Sequence, residues 1–220
     1  SEALAKEMVN IGNNLGRNTV AVISDMSQPL GYEVGNANEV REACQVLQGE
    51  NIEDLRLLSL ELASHMTVIA GAFDNFETAY KALEQNLKNG KAFESFRTLV
   101  KAQGGDVSVI DDLSKLPQAE YHIEVTAKQD GFVSEIDAES VGVAAMYLGA
   151  GRATKDDQIN HGVGITLKKK VGDKVKKGEA LVVLHSDQEQ PSDSVNKIHE
   201  AYTLSEQAPD IPQLIYKVIN

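Results

Sequence analysis

Glu39 and Glu42 stand three residues apart just beyond the loop DMSQPLGYEVG, which carries a proline and two glycines between Asp25 and Gly35. On a helix that spacing puts both carboxylates on neighbouring parts of one face. Main-chain carbonyls from an irregular loop, joined by a helix carboxylate, form a set of hard oxygen donors. Such a set suits an alkali or alkaline-earth cation, whereas transition metals draw on imidazole or thiolate. A plainer assignment uses the same residues: Glu39 caps the helix and Glu42 is a solvated charge. Spacing alone favours the plainer one.

Other chemistry-bearing residues give weaker patterns. The histidines at 65, 122, 161, 185 and 199 show no HxH, HxxxH or HExxH spacing, so neither a metal centre nor a catalytic triad can be built from them. His65 falls on an apolar helix face and reads as a packed residue. His161, in DDQINHGVG, has Asp156, Asp157 and Asn160 near it in sequence, as a polar pocket or an ordinary polar loop would. LGAGR, with Gly149, Gly151 and Arg152, has the look of an anion loop but lacks a following GKS or GKT, and a turn closing the preceding helix explains it. Cys44, on the inner face of a helix, reads as a buried small residue.

These residues need elements to hold them. Leu4, Met8, Ile11 and Leu15 recur at helical spacing before Gly16, and TVAVIS (19–24) has the apolar, β-branched composition of a buried parallel strand. The loop from Asp25 then begins where that strand ends, the usual place for a ligand in an open α/β sheet. Asn36 and Glu39 predict a capping box, with Val40, Ala43 and Leu47 on one helix face and Gly49 as the stop. Further helices are expected from Asp54, from an Asp74 cap and from Lys91, and Gly104 and Gly105 end the series. YHIEVTA and FVSEID alternate about Lys128 to Gly131 and predict a hairpin. A short helix from Ala138, strands GVGITL and ALVVLH around a lysine-rich hairpin, a helix carrying Val195, Ile198, Tyr202 and Leu204, and a final extended LIYKVI complete an α+β portion.

The composition bounds the function. Two hundred and twenty residues, 42% of them apolar, are enough for one large or two modest domains. Twenty-one basic against 33 acidic residues give a net charge of −12, which argues against nucleic-acid or anionic-membrane binding by bulk electrostatics. KKKVGDKVKK (168–177), the one basic run, reads as a solvated turn. A single cysteine excludes an internal disulfide, and no apolar run reaches membrane-spanning length. The expected compartment is the cytoplasm. A start at Ser1 without methionine suggests a processed or partial chain.

Taken together, ISDMSQPLG, VGNANEVREA, DGFVSEID, LGAGR and GVGITLKKKVGDKVKKGEAL resemble the later part of the pyrimidine-nucleoside and thymidine phosphorylases, in the family's order and through essentially the whole chain. The resemblance implies the later half of an α/β phosphorylase domain over residues 1–116. An α+β C-terminal domain with a barrel-sandwich element follows over 117–220. It implies reversible phosphorolysis of uridine, deoxyuridine or thymidine, with phosphate as co-substrate, in a homodimer. It also implies a potassium ion, or another hard cation, held by the carbonyls of Leu30 and Glu33 and the side chain of Glu42, which reverses the preference for the plainer assignment. A small residue is more usual at position 33. No catalytic or substrate-binding residue of the family matches a position in this chain, because the glycine-rich phosphate loop and the base-gripping residues precede the matching region; the chain alone is expected to be inactive. The run VGDKVKKGEAL is also similar to biotinyl and lipoyl carrier hairpins, so a non-enzymatic carrier module is the alternative. Such a carrier needs a lysine at the tip of a second hairpin, and Lys128 lacks the customary neighbours.

Overall fold

The computed structural model describes residues 2–152 and 154–220; Ser1 and Ala153, the latter within LGAGRATKD, lie outside the described residues. The chain runs α1 (Glu2–Asn14), β1 (Ala21–Ser24), β2 (Glu33–Val34), α2 (Asn36–Leu47), α3 (Glu53–Ile69), α4 (Phe76–Lys88), α5 (Lys91–Ala102) and the single turn α6 (Ser108–Asp111). It continues with β3 (Tyr121–Thr126), β4 (Gly131–Ile136), α7 (Ala138–Leu148), β5 (Gly164–Leu167), β6 (Lys174–Val175), β7 (Ala180–Ser186), α8 (Ser192–Ala201), β8 (Tyr202–Ser205) and β9 (Ile215–Ile219). The result is a mixed α/β protein with several small antiparallel sheets. Contacts divide it into two compact units that interleave along the sequence.

One unit gathers the segment up to Asp25, Val46–Phe96 and Pro212–Asn220. The expected buried parallel strand is here β1, paired antiparallel with β9 in a two-stranded ribbon, Val22 opposite Val218, and only half-buried. Its β-branched residues suit either arrangement; the partner available to it within this unit is the C-terminal extended segment, which runs the opposite way. Helix α1 forms as its spacing predicts, yet Leu4, Met8, Ile11 and Leu15 remain 58–73% exposed. Helices α3 and α4 pack through the rings of His65 and Phe76, whose centroids lie 4.8 Å apart. The N-cap of α4 is Asn75, one residue later than Asp74, because the Asn75 side chain accepts the Thr78 N–H at 3.0 Å.

The other unit comprises Met26–Gln45 and Arg97–Ile211. It holds a four-stranded sheet in the order β2-β5-β7-β3 and a three-stranded sheet in the order β6-β4-β8. The expected hairpin of 121–126 with 131–136 does not form: β3 pairs with β7, while β4 pairs with β6 and β8. Strand partners are chosen by which pairing buries the apolar alternate residues. Here Val133 and Ile136 of β4 face Leu204 and Tyr202 of β8. Those two residues therefore belong to a strand, and α8 stops at Ala201 instead of carrying them. Ile136, Ile165, Leu167, Leu184 and Ile198 are all but fully buried in one core with Val133, Val141 and Val182. Each such side chain contributes about 1.5–3 kcal/mol relative to leaving it in water.

Candidate cation site

The loop that follows β1 returns to order at β2, where Glu33 lies opposite Thr166 and Val34 opposite Ile165 of β5. The Leu167 N–H donates to the Tyr32 carbonyl at 2.7 Å. Hydrogen bonding at 32 and 34 makes Glu33 and Thr166 the non-hydrogen-bonded pair, so the main-chain N–H and C=O of Glu33 face away from β5. Because β2 is an edge strand, that outward side is met by α2. Gly35 caps α2 in place of the expected Asn36: the Gly35 N–H donates to Glu39 Oε1 at 3.0 Å, and its carbonyl accepts the Glu39 N–H at 2.9 Å. Glu39 is thus a capping carboxylate.

Glu42 is not a solvated charge. Only 3% of it is exposed, and its carboxylate accepts the Tyr32 N–H at 2.7 Å and, at a long 3.4 Å, the Glu33 N–H. A buried carboxylate needs such donors to offset its lost hydration. Gly31 permits the approach. It adopts φ 67°, and a Cβ built on it would sit 2.3 Å from Glu42 Oε2.

Lys170, expected on a solvated turn, is half-buried. Its ammonium donates to the carbonyl oxygens of Pro29 at 2.5 Å and Gly31 at 2.6 Å, and lies 5.4 Å from the centre of the Tyr32 ring. Gln28 Oε1 accepts the neighbouring Val171 N–H at 3.1 Å. The basic run is therefore no simple hairpin: Val171 and Val175 are buried, and β6 within it joins a different sheet from β5 and β7. Nothing in local spacing signals these contacts, which span about 140 positions.

The Glu33 side chain turns to another network. Its Oε2 accepts from Asn38 Nδ2 at 2.8 Å and from Thr166 Oγ1 at 2.8 Å, and Thr166 Oγ1 lies 2.7 Å from His185 Nε2. Thr166 has one proton, and an ionised Glu33 can only accept. Thr166 therefore donates to Glu33, and His185 donates to Thr166 as the neutral Nε2–H tautomer. Burial, then the positive influence of His122, Arg41 and Lys168, lower the His185 pKa to about 4. Burial raises that of Glu33 against the hydrogen bonds from Thr166 and Asn38. The rings of His122 and His185 meet edge to face at 4.8 Å and, with Asn38, Arg41 and Gln118, line a cleft of about 290 Å³.

The remaining candidates take structural places. His65 lies 3.2 Å from Glu61. Near His161, Asp157 accepts from the Thr154 N–H and hydroxyl, and the Asn160 amide donates to Asp187. Gly149 is the left-handed cap of α7, which makes LGAGR the closing turn of that helix. Cys44 is fully buried, and burial pushes its thiol pKa up. Lys128 lies between strands of separate sheets rather than at a hairpin tip, which removes the geometry a carrier lysine requires. Among the described residues, no three His, Cys, Asp or Glu side chains converge to hold a metal ion.

A mixed α/β scaffold with a carboxylate-braced loop is what the residues build, and known proteins are similar to it in sequence. Residues 132–205 match the pyrimidine nucleoside phosphorylase C-terminal domain. The chain is similar to the pyrimidine-nucleoside phosphorylase of Geobacillus stearothermophilus, 54% identical over 220 residues, covering all of this chain and 51% of that protein. It is also similar to the one from Bacillus subtilis, 55% identical over 216 residues, 98% of this chain and 50% of that protein. Throughout its length it is homologous to the C-terminal half of the pyrimidine-nucleoside phosphorylase family, and it spans about half the length of these relatives. No helix among the described residues is long and apolar enough to cross a membrane.

Proposed function

We propose that this chain is the C-terminal portion of a pyrimidine-nucleoside phosphorylase, a pentosyl transferase that acts reversibly on uridine, deoxyuridine or thymidine. A phosphate oxygen forms the new bond to C1′ of the pentose, the C1′–N1 bond breaks with its electron pair leaving on the pyrimidine, and a proton is taken up by the base. Free base and pentose 1-phosphate result. The observation that carries this reading is 54% identity over all 220 residues to a protein of that name. The catalytic groups are assigned outside this chain, so the chain alone is inactive, and the complete enzyme is a cytoplasmic homodimer. Residues 117–220 supply its α+β domain with the barrel-sandwich element.

Within the chain, the carbonyls of Leu30 and Glu33 and the Glu42 carboxylate hold a potassium ion or another hard cation. The outward-facing Glu33 carbonyl and the burial of Glu42 beside the Tyr32 and Glu33 N–H groups support this assignment. The donor set is all oxygen, as a hard cation requires. When bound, the ion supplies positive charge that ties the loop to α2. The chain's own residues do the rest: Glu42 accepts the loop N–H groups, β5 anchors Tyr32, and Thr166 and Asn38 hold the Glu33 side chain away from the ligand carbonyl. The test is uracil release from uridine and inorganic phosphate by the complete enzyme, with potassium replaced by choline. Potassium-dependent release supports the cation assignment, and release at equal rates in both salts contradicts it.

A further inference from the structure

We infer that Lys170 is a tethered cation for the loop at 29–32, filling with its own ammonium a pocket that a free potassium or ammonium ion takes when the side chain is removed. The inference rests on the proposed function only in placing this pocket beside the catalytic cation. Its physical basis is the loop itself.

Three features make the pocket. Two main-chain carbonyls, of Pro29 and Gly31, converge on one nitrogen at 2.5 and 2.6 Å. The Tyr32 ring, its centre 5.4 Å from that nitrogen, adds the negative face of an aromatic quadrupole. Beside Gly31, whose carbonyl Lys170 holds, the buried Glu42 carboxylate takes the space a Cβ would fill, which gives the surroundings a negative charge to balance. Carbonyls turned inward without a donor or cation would forfeit their hydration. The contact therefore does more than decorate the surface. An alkyl-ammonium head and a potassium ion are both monovalent cations that carbonyl oxygens accept, and the pocket recognises that shared chemistry. Lys170 is a positioning residue: it sets carbonyls 29 and 31, and through them the peptide units on either side of Leu30.

The experiment measures the thermal midpoint of the purified protein, and of K170M and K170R, in choline, potassium and ammonium chloride at equal ionic strength. Wild type is expected to gain in potassium over choline no more than the Leu30, Glu33 and Glu42 site supplies, and K170M is expected to gain clearly more. K170M should unfold about 4 °C or more lower in choline. Potassium or ammonium should return more than half of that loss, because an ion that binds only the folded state stabilises it by mass action. K170R, which keeps the charge, should depend on the salt less than K170M. A K170M that folds only in potassium or ammonium is the same supporting result in stronger form. Equal midpoints for K170M in all three salts, or failure to fold in each, overturn the inference. So does a potassium-specific gain in wild type as large as that in K170M, which places the ion at a site Lys170 does not occupy. Failure of the phosphorylase reading is seen separately, as absence of uracil release, and leaves these midpoints unaffected.

Discussion

The Glu42 carboxylate accepts the main-chain N–H of Tyr32 at 2.7 Å, joining the second turn of α2 to the loop ten residues before it. A hydrogen bond to a charged group contributes about 1.5–3 kcal/mol, and removing the acceptor leaves its donor to be rehydrated. Glu42→Ala is expected to lower the unfolding free energy by about 2 kcal/mol, and Glu42→Gln, which keeps one acceptor oxygen, by about half as much. Urea denaturation measures both. In the complete enzyme, each substitution should also raise the potassium concentration needed for half-maximal activity, by roughly tenfold or more for a lost ligand.

Gly31→Ala meets two obstacles. Its φ of 67° is unfavourable for an L side chain by about 1–2 kcal/mol. The new methyl would also stand 2.3 Å from Glu42 Oε2. The single variant should lose about 2–4 kcal/mol, while Gly31→Ala with Glu42→Ala should lose less than the sum of the two single changes, since the double variant removes the clash. Strict additivity in a double-mutant cycle would show that the carboxylate does not crowd this position.

His185 makes stability depend on pH. Its folded pKa is about 4, below the ordinary 6.5, so between those values the unfolded chain binds the proton more readily. Stability from this group is therefore fully present above about pH 6.5 and is lost as pH falls toward 4. Glu33 acts in the opposite sense: its raised pKa means that burial of the ionised carboxylate costs stability at neutral pH, a cost relieved on acidification through the raised value. Comparing urea midpoints at pH 7 and pH 5.5, wild type should lose more than His185→Gln. An equal loss in both proteins would exclude His185 as the source.

Part of this arrangement was legible in the residues. Periodicity located the helices from Glu53, Lys91 and Ala138, and the strands at 164–167 and 180–186, because their amphipathic or apolar patterns are local. The capped start of α2 was visible to within one residue. Pairing was less accessible: YHIEVTA and FVSEID each alternate as strands should, but alternation does not say which strand is the neighbour, and β7 and β8 prevailed over the short turn. The stripe Leu4, Met8, Ile11 and Leu15 predicted a helix and found one, while leaving open what covers it. Lys170 was hidden for a similar reason. A lysine in a basic run looks solvated until the fold brings Pro29 and Gly31 to it from about 140 residues away. Glu42 lay between these cases, its type and spacing suggestive, its burial evident only once the loop had closed over it.

The most direct test of the account is the chromatographic measurement of uracil formed from uridine and inorganic phosphate. The assay compares the 220-residue chain alone with the same chain combined with the glycine-loop half of a pyrimidine-nucleoside phosphorylase. Phosphate-dependent uracil release from the combination, and none from the chain alone, is the predicted result. Turnover by the chain alone, or no phosphate-dependent release from the correctly assembled combination, would contradict it.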